Sequence, residues 1–191
     1  MTVVIMLLAL TAALAKDASI KLRFDDRKAP LPPPIDAGVL VAKTFALPAF
    51  TDARPAEERR SIGTRAGVTL RTDDSVPQFA TLAGRLALQR WGLTLVGQSA
   101  DCTVAVAITR FSLDESDAGY AAVVELKTTV QTAARVTLWE GTTRGEVQVS
   151  GKPGKNLLEM QVLTAAVQDA LAKVVADAGL QNSVAAGKPR S

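Results

Sequence analysis

In two runs between residues 103 and 131 side chains alternate in character at every second position. Val104, Val106 and Ile108 alternate with Thr103, Ala105 and Ala107. Val124, Leu126, Thr128 and Val130 alternate with Glu125, Lys127, Thr129 and Gln131. A period of two sends successive side chains to opposite faces of a strand. The second run has one apolar and one wet face, the pattern of an antiparallel sheet with a solvated side. Ser116-Asp117-Ala118-Gly119 reads as the turn between the two runs. Val136 and Leu138 resume the pattern, and Glu140-Gly141 predicts a hairpin turn into a last strand over 145–149.

Helical segments flank this block. Pro77 fits a first turn, where a missing N–H costs nothing. Phe79, Leu82, Ala83, Leu86 and Ala87 follow at helical spacing. Trp91 closes the core at that end, and Gly92 supplies a left-handed cap. The final helix opens on Asn156, with Glu159 three residues on as in a capping box. Met160, Leu163, Val167, Leu171 and Val174 line its apolar face, and Gly179 ends it. Upstream, Val39, Val41, Lys43 and Phe45 are spaced by two and predict a strand that nears solvent at Lys43. The charged stretch 56–74 carries Gly63 and Gly67 and reads as a long loop with a short strand over 68–71. A short strand is also expected over 93–96. The fold class expected over residues 38–180 is α+β: a two-layer sandwich, its sheet mostly antiparallel, with two helices packed on one face.

The N-terminus reads as an export signal. Val3 to Ala15 is apolar except for Thr11, and at about 1.5 Å per residue it is too short to cross a bilayer as a helix. Ala13-Leu14-Ala15 places small residues before a cleavage site, which would make Lys16 the mature N-terminus. Residues 16–37, with Pro30-Leu31-Pro32-Pro33-Pro34, read as a stiff, extended, proline-rich spacer. An alternative reading makes that stretch a ligand for a proline-recognising groove. Residues 181–191 are small and polar and read as a disordered tail.

Composition narrows the chemistry. The chain has no histidine, one cysteine, 22 basic and 19 acidic residues, and 4% aromatics. Without histidine, Ser-His-Asp and Cys-His nucleophile systems and most zinc sites are excluded. Cys102 alone cannot close an intramolecular disulfide, and on a buried strand it reads as a small inert hydrophobe. The interspersed charge and scarce aromatics argue against nucleic acid. Asp25-Asp26 and Asp73-Asp74 lie in turn-like surroundings and read as solvated. Gly63-Thr64-Arg65-Ala66-Gly67 lacks the Gly-Lys-Ser/Thr ending of a phosphate loop. No catalytic residue, metal ligand or cofactor site is expected.

Several short motifs resemble a known family. Phe50-Thr51-Asp52-Ala53-Arg54 is followed by Ile62-Gly63, and a helix ends at Gly92. Ala100-Asp101 opens a buried strand that ends at Phe111, and Leu138-Trp139-Glu140-Gly141 makes a hairpin before the final helix. Over residues 38–178 this resembles the YajG-like family of bacterial outer-membrane lipoproteins. More loosely, it resembles the small α/β domains of the curli secretion and lipopolysaccharide-assembly lipoproteins. Those families are acylated on a cysteine after the signal, which this chain lacks, and the resemblance implies no catalytic residues.

The expected function is a non-catalytic accessory protein of the cell envelope, periplasmic or membrane-associated, that binds a protein partner. The alternative is a carrier of a lipid or other apolar ligand, using space left by abundant alanine. The expected contact residues are Asp52, Arg54, Arg59, Arg60 and Arg65, on a loop dense in charge but nearly neutral. The half-polar sheet face at Glu125, Lys127 and Gln131 is the rival surface.

Overall fold

In the computed structural model, which describes residues 17–150 and 156–187, three long strands carry the fold. They are β7 (Cys102–Ser116), β8 (Gly119–Thr132) and β9 (Thr137–Val149). They form an antiparallel meander, from Ser116↔Gly119 to Cys102↔Thr132 and from Tyr120↔Val149 to Gln131↔Thr137.

The hairpin turn lies at 132–136 rather than at Glu140-Gly141. Arg135 takes φ +63, and Thr132 accepts from the Arg135 N–H at 2.9 Å. Gly141 is inside β9, where a Cβ would stand 2.5 Å from the Trp139 ring. That glycine makes room for an indole instead of turning the chain. β7 also runs past Phe111. The ladder shifts between Ile108 and Arg110, so Thr109 and Arg110 both face out. Burial then passes from Val104, Val106 and Ile108 to Phe111, Leu113 and Glu115. One extra residue resets a period of two.

On its other edge β7 pairs with three short strands in tandem: β2 (Thr44–Ala46), β3 (Thr51–Asp52) and β4 (Ser61–Arg65), all parallel to it. β5 (Val68–Arg71) runs antiparallel to β4, β1 (Ala18–Ser19) parallel to β5, and β6 (Thr94–Leu95) parallel to β2. The sheet expected to be mostly antiparallel is therefore mixed. The strand expected over 39–45 is a 3-10 turn at Gly38–Ala42 followed by the short β2. Gly38 at φ +49 bends the chain, and only Leu40 of that turn is buried, leaving Val39 and Val41 exposed.

Helix α1 (Val76–Arg90) is capped by Ser75, which accepts from the Gln78 N–H. Its buried stripe is Val76, Phe79, Ala80, Ala83, Ala87 and Leu88; Leu82, expected inside, is 41% exposed. Helix α2 (Asn156–Val175) buries Leu163, Ala166, Val167, Ala170, Leu171 and Val174. Phe111, Val124 and Gly145 pair across β7, β8 and β9 and so share one face. α1 meets that row through Phe79, edge-on to Phe111 at 6.1 Å. α2 meets it at Gly145, against the backbone of Ala166.

Gly179 does not end α2. Asp177 caps a third helix, α3 (Ala178–Ala186), accepting from the Leu180 N–H at 2.9 Å and from the Trp139 indole at 3.1 Å. Leu180 and Val184 are buried, so the expected tail is helical as far as Ala186, and 188–191 lie outside the described residues.

Residues 17–37 are packed rather than free. Ile20, Leu22 and Ala37 are buried, and Phe24 stands edge-on to Phe79 at 6.1 Å. The predicted leader 1–15 with its cleavage site, and the Asn156 side chain, lie outside the described residues.

Candidate functional site

The tandem pairing of β2, β3 and β4 along β7 explains why the charged loop exists. Asp52 lies opposite Ile108 and Gly63 opposite Leu113, so residues 53–62 face only 109–112. The excess leaves the sheet as an excursion with a 3-10 turn at Ala56–Glu58. It re-enters the sheet at Ser61, opposite Arg71 of β5, and rejoins β7 at Gly63, where a Cβ would overlap the Leu113 backbone at 1.9 Å.

Arg54 closes the base of the excursion. Its guanidinium grips Asp52 through two parallel bonds, Nε to Oδ1 at 2.9 Å and Nη2 to Oδ2 at 2.7 Å. The other N–H groups donate to the carbonyls of Glu58, Arg59 and Ser61. All five donors of the fork are thus used within ten residues of chain. The Arg54 side chain is 2% exposed and sits 5.9 Å from the Phe111 ring centroid. Burial pushes the Asp52 carboxyl up, but the Arg54 hydrogen bond and charge, with Arg59 behind them, carry it below the usual range. This pair shapes a loop, and neither member is a free surface charge.

Arg65 points elsewhere. It pairs across the ladder with Glu115, Nε to Oε2 at 2.5 Å, and its Nη2 donates to Glu159 on α2. Both carboxylates are buried, and the arginine is 30% exposed. Glu159, expected to complete a capping box with Asn156, ties α2 to β4 through Arg65. Burial raises its pKa; Arg65 opposes that and the nearby Glu115 adds to it, leaving the group above its ordinary value. Burial likewise works against the charge of Arg65, yet the two carboxylates outweigh it and hold it cationic.

Of the five expected contact residues, only Arg59 and Arg60 stay on the exposed tip, and Arg60 leans toward Asp73 at 3.9 Å. The five do not converge on one surface. Cys102 is buried, and burial above all pushes its thiol up, which suppresses the reactive thiolate. Among the described residues no three acids or thiols stand close enough to hold a metal ion.

The face of the meander opposite the helices is more continuous. Across β7, β8 and β9 it presents Ala105, Ala107, Lys127, Thr129, Glu140, Thr142 and Arg144, all exposed or half-buried. Lys127 bridges to Glu140 at 2.9 Å and Arg144 to Glu125 at 3.7 Å. Lys127 holds the Glu140 carboxyl below its usual range. Beside these pairs, Ala105, Ala107 and Thr129 floor a shallow open hollow of about 290 Å³ walled by Pro48 and Ala49. The alternation of β8 gave half of this surface; the glycine-containing β9 half was missed because Glu140-Gly141 read as a turn.

No family model matches the sequence, including any for the YajG-like family, and no curated protein sequence matches it. Among solved structures it is similar to a Xanthomonas campestris protein of the DUF330 family, at 14% identity over 76% of this chain and 86% of that one, TM-score 0.47. It is also similar to a hypothetical protein from Chlamydia trachomatis, at 11% identity over 75% and 98%, TM-score 0.49. A third is a minor lipoprotein from Acinetobacter baumannii, at 14% identity over 80% and 100%, TM-score 0.37.

Proposed function

We propose that this chain is a non-catalytic protein of the cell envelope, exported to the periplasm or the outer membrane, that binds a protein partner across the open face of its sheet. The observation that carries the reading is the asymmetry of the meander. One face is packed under α1 and α2, and the other is laid out as paired charges around a floor of small residues. Opposed charges on a flat surface favour specific, salt-sensitive recognition over bulk hydrophobic assembly. The apolar N-terminal run supports export, and no described helix is long and apolar enough to cross a membrane.

The lipid-carrier alternative needs unfilled volume between helices and sheet. The small residues there are used for close approach instead: Gly145 lies against Ala166 and Ala170, and Gly84 against Phe50 and Leu171.

A photo-reactive residue at Ala105 or Thr142, in the full chain expressed with its leader, tests the proposal. The expected result is one discrete cross-linked protein adduct, lost on the double charge reversal Lys127→Glu and Arg144→Glu. A probe at exposed Arg85 on α1 should give none. Adducts from Arg85 alone, or an adduct that survives the double reversal, would overturn the sheet face as the contact surface.

A further inference from the structure

Residues 28–36 cross the outer surface of the helices, and the way they are held is unusual. Proline has no N–H, so a proline-rich segment can be gripped only through its carbonyls and rings. Here the polar grips among the described residues are side-chain donors reaching strap carbonyls, beside the packing of Ile35 against the core. Gln168 donates to Pro30 at 3.2 Å and Arg90 to the same oxygen at 2.9 Å. The Trp91 indole donates to Pro33 at 2.9 Å, and Gln181 to Asp36 at 3.1 Å. Gln161 adds a bond to Lys28 at 3.1 Å.

The carbonyls of residues 30, 33 and 36 are three apart, and a polyproline II helix has three residues per turn. Three of the four gripped carbonyls thus have the spacing of one edge of such a helix, and their donors come from α1 with its C-terminal Trp91, α2 and α3 together. The strap's side chains are divided: Leu31 is 83% exposed and Pro33 and Pro34 face solvent, while Pro30 and Pro32 are half-buried and Ile35 packs against the core.

Gln168 supplies a second, independent observation. It is fully buried, and its Nε2 is used, but its Oε1 has no hydrogen-bond partner. The strap covers this amide and gives it an acceptor without giving it a donor.

We propose that this helical surface, with Arg90, Trp91, Gln161, Gln168 and Gln181, is a receptor for an extended proline-rich segment. In this structure it is occupied in cis by residues 28–36, and it takes such a segment from a partner protein when the strap lifts. Recognition runs through backbone carbonyls at a three-residue repeat, so it transfers to any chain that is pre-formed as polyproline II. The unsatisfied oxygen of Gln168 marks a donor position that the cis occupant leaves unfilled. This site is separate from the open sheet face and does not depend on it.

The cis strap competes at an effective concentration of roughly millimolar, so the test weakens it. In the full chain, Pro30, Pro32, Pro33 and Pro34 are replaced by glycine, and a capped peptide with the sequence of residues 26–37 is added. The Trp91 indole N–H resonance should shift saturably at up to about 2 mM peptide, while that of buried Trp139 stays put. Trp91→Phe should weaken peptide binding about 5-fold, the loss of one hydrogen bond. Should the glycine variant fail to fold, a spin label on Leu31→Cys in the otherwise intact chain reports the same event, since Cys102 is buried. Excess peptide should mobilise that label. An unmoved Trp91 signal in a folded glycine variant, or an unaffected label, overturns the proposal. Lys127→Glu with Arg144→Glu should leave peptide binding unchanged.

Discussion

Alanine at Gly145 tests the seating of α2 on the sheet. A Cβ there would stand 2.0 Å from the Ala166 carbonyl oxygen and 2.7 Å from the Ala170 nitrogen. Ordinary contact begins near 3.4 Å, so the helix must retreat from β9 by more than about 1 Å. Both clashing atoms belong to helix backbone, and no side chain can swing aside to absorb them. The retreat loosens Leu163, Val167 and Leu171, all at most 1% exposed. It also lengthens the bonds that α2 makes to the strand, from Lys173 to the Arg144 carbonyl and from the Glu146 N–H to Asp169. Overpacking of this kind costs about 2–3 kcal/mol. In a domain of this size each kcal/mol moves the melting temperature by about 2–4 °C, so a fall of about 4–12 °C is expected. Gly97→Ala is the control: nothing lies within 4 Å of its would-be Cβ, and it should melt within about 2 °C of the parent. Hydrogen exchange at the Glu146 amide should quicken in the first variant only. Equal melting of the two variants would refute the close seating of α2.

Glu159→Gln keeps an acceptor for Arg65 while removing a buried charge. Because burial holds the folded carboxyl above its ordinary 4.5, its contribution to stability is full below that value and lost as pH rises through the folded one. The variant should therefore melt above the parent at about pH 8 and lose the advantage near pH 4.5; melts that differ equally at both would contradict this. Asp52 has the opposite sign: its pKa is lowered, so its contribution is lost as pH falls. Arg54→Ala should cost about 2–4 kcal/mol by chemical denaturation, since it strands that carboxylate and three carbonyls, and lysine should not restore the two-pronged grip. Thr128→Val should be neutral or stabilising by up to about 1–2 kcal/mol, because the Thr128 hydroxyl is buried with no partner.

Where the sequence is legible, the interaction is local. Alternation at 124–130 placed β8 with the right faces, because each side chain's direction depends only on its neighbours along the strand. The same logic failed where one residue breaks the count. Nothing in Thr109-Arg110 announces a bulge, so the inward turn of Glu115 was invisible and the strand was ended at Phe111. Valines at 39 and 41 have strand spacing, but Gly38 at φ +49 and the pinning of Thr44 by Asp101 leave no length for a strand.

The site residues were harder still, because their roles are set at a distance. Arg65 meets Glu115 and Glu159 across 50 and 94 residues, and Gln168 meets Pro30 across 138. Charge counting along the loop treated five residues as one surface, but an arginine is a surface group only if its donors are free. Arg54 spends its donors on its own loop, and Arg65 spends two of its own on buried acids. The proline run was identified by the one property proline fixes locally, an extended backbone. Its resting place was hidden because its polar docking runs through carbonyl oxygens, which every residue has. A proline-rich stretch is therefore a prompt to look for side-chain donors on a facing surface that reach carbonyls three residues apart, and here three helices and their ends supply them.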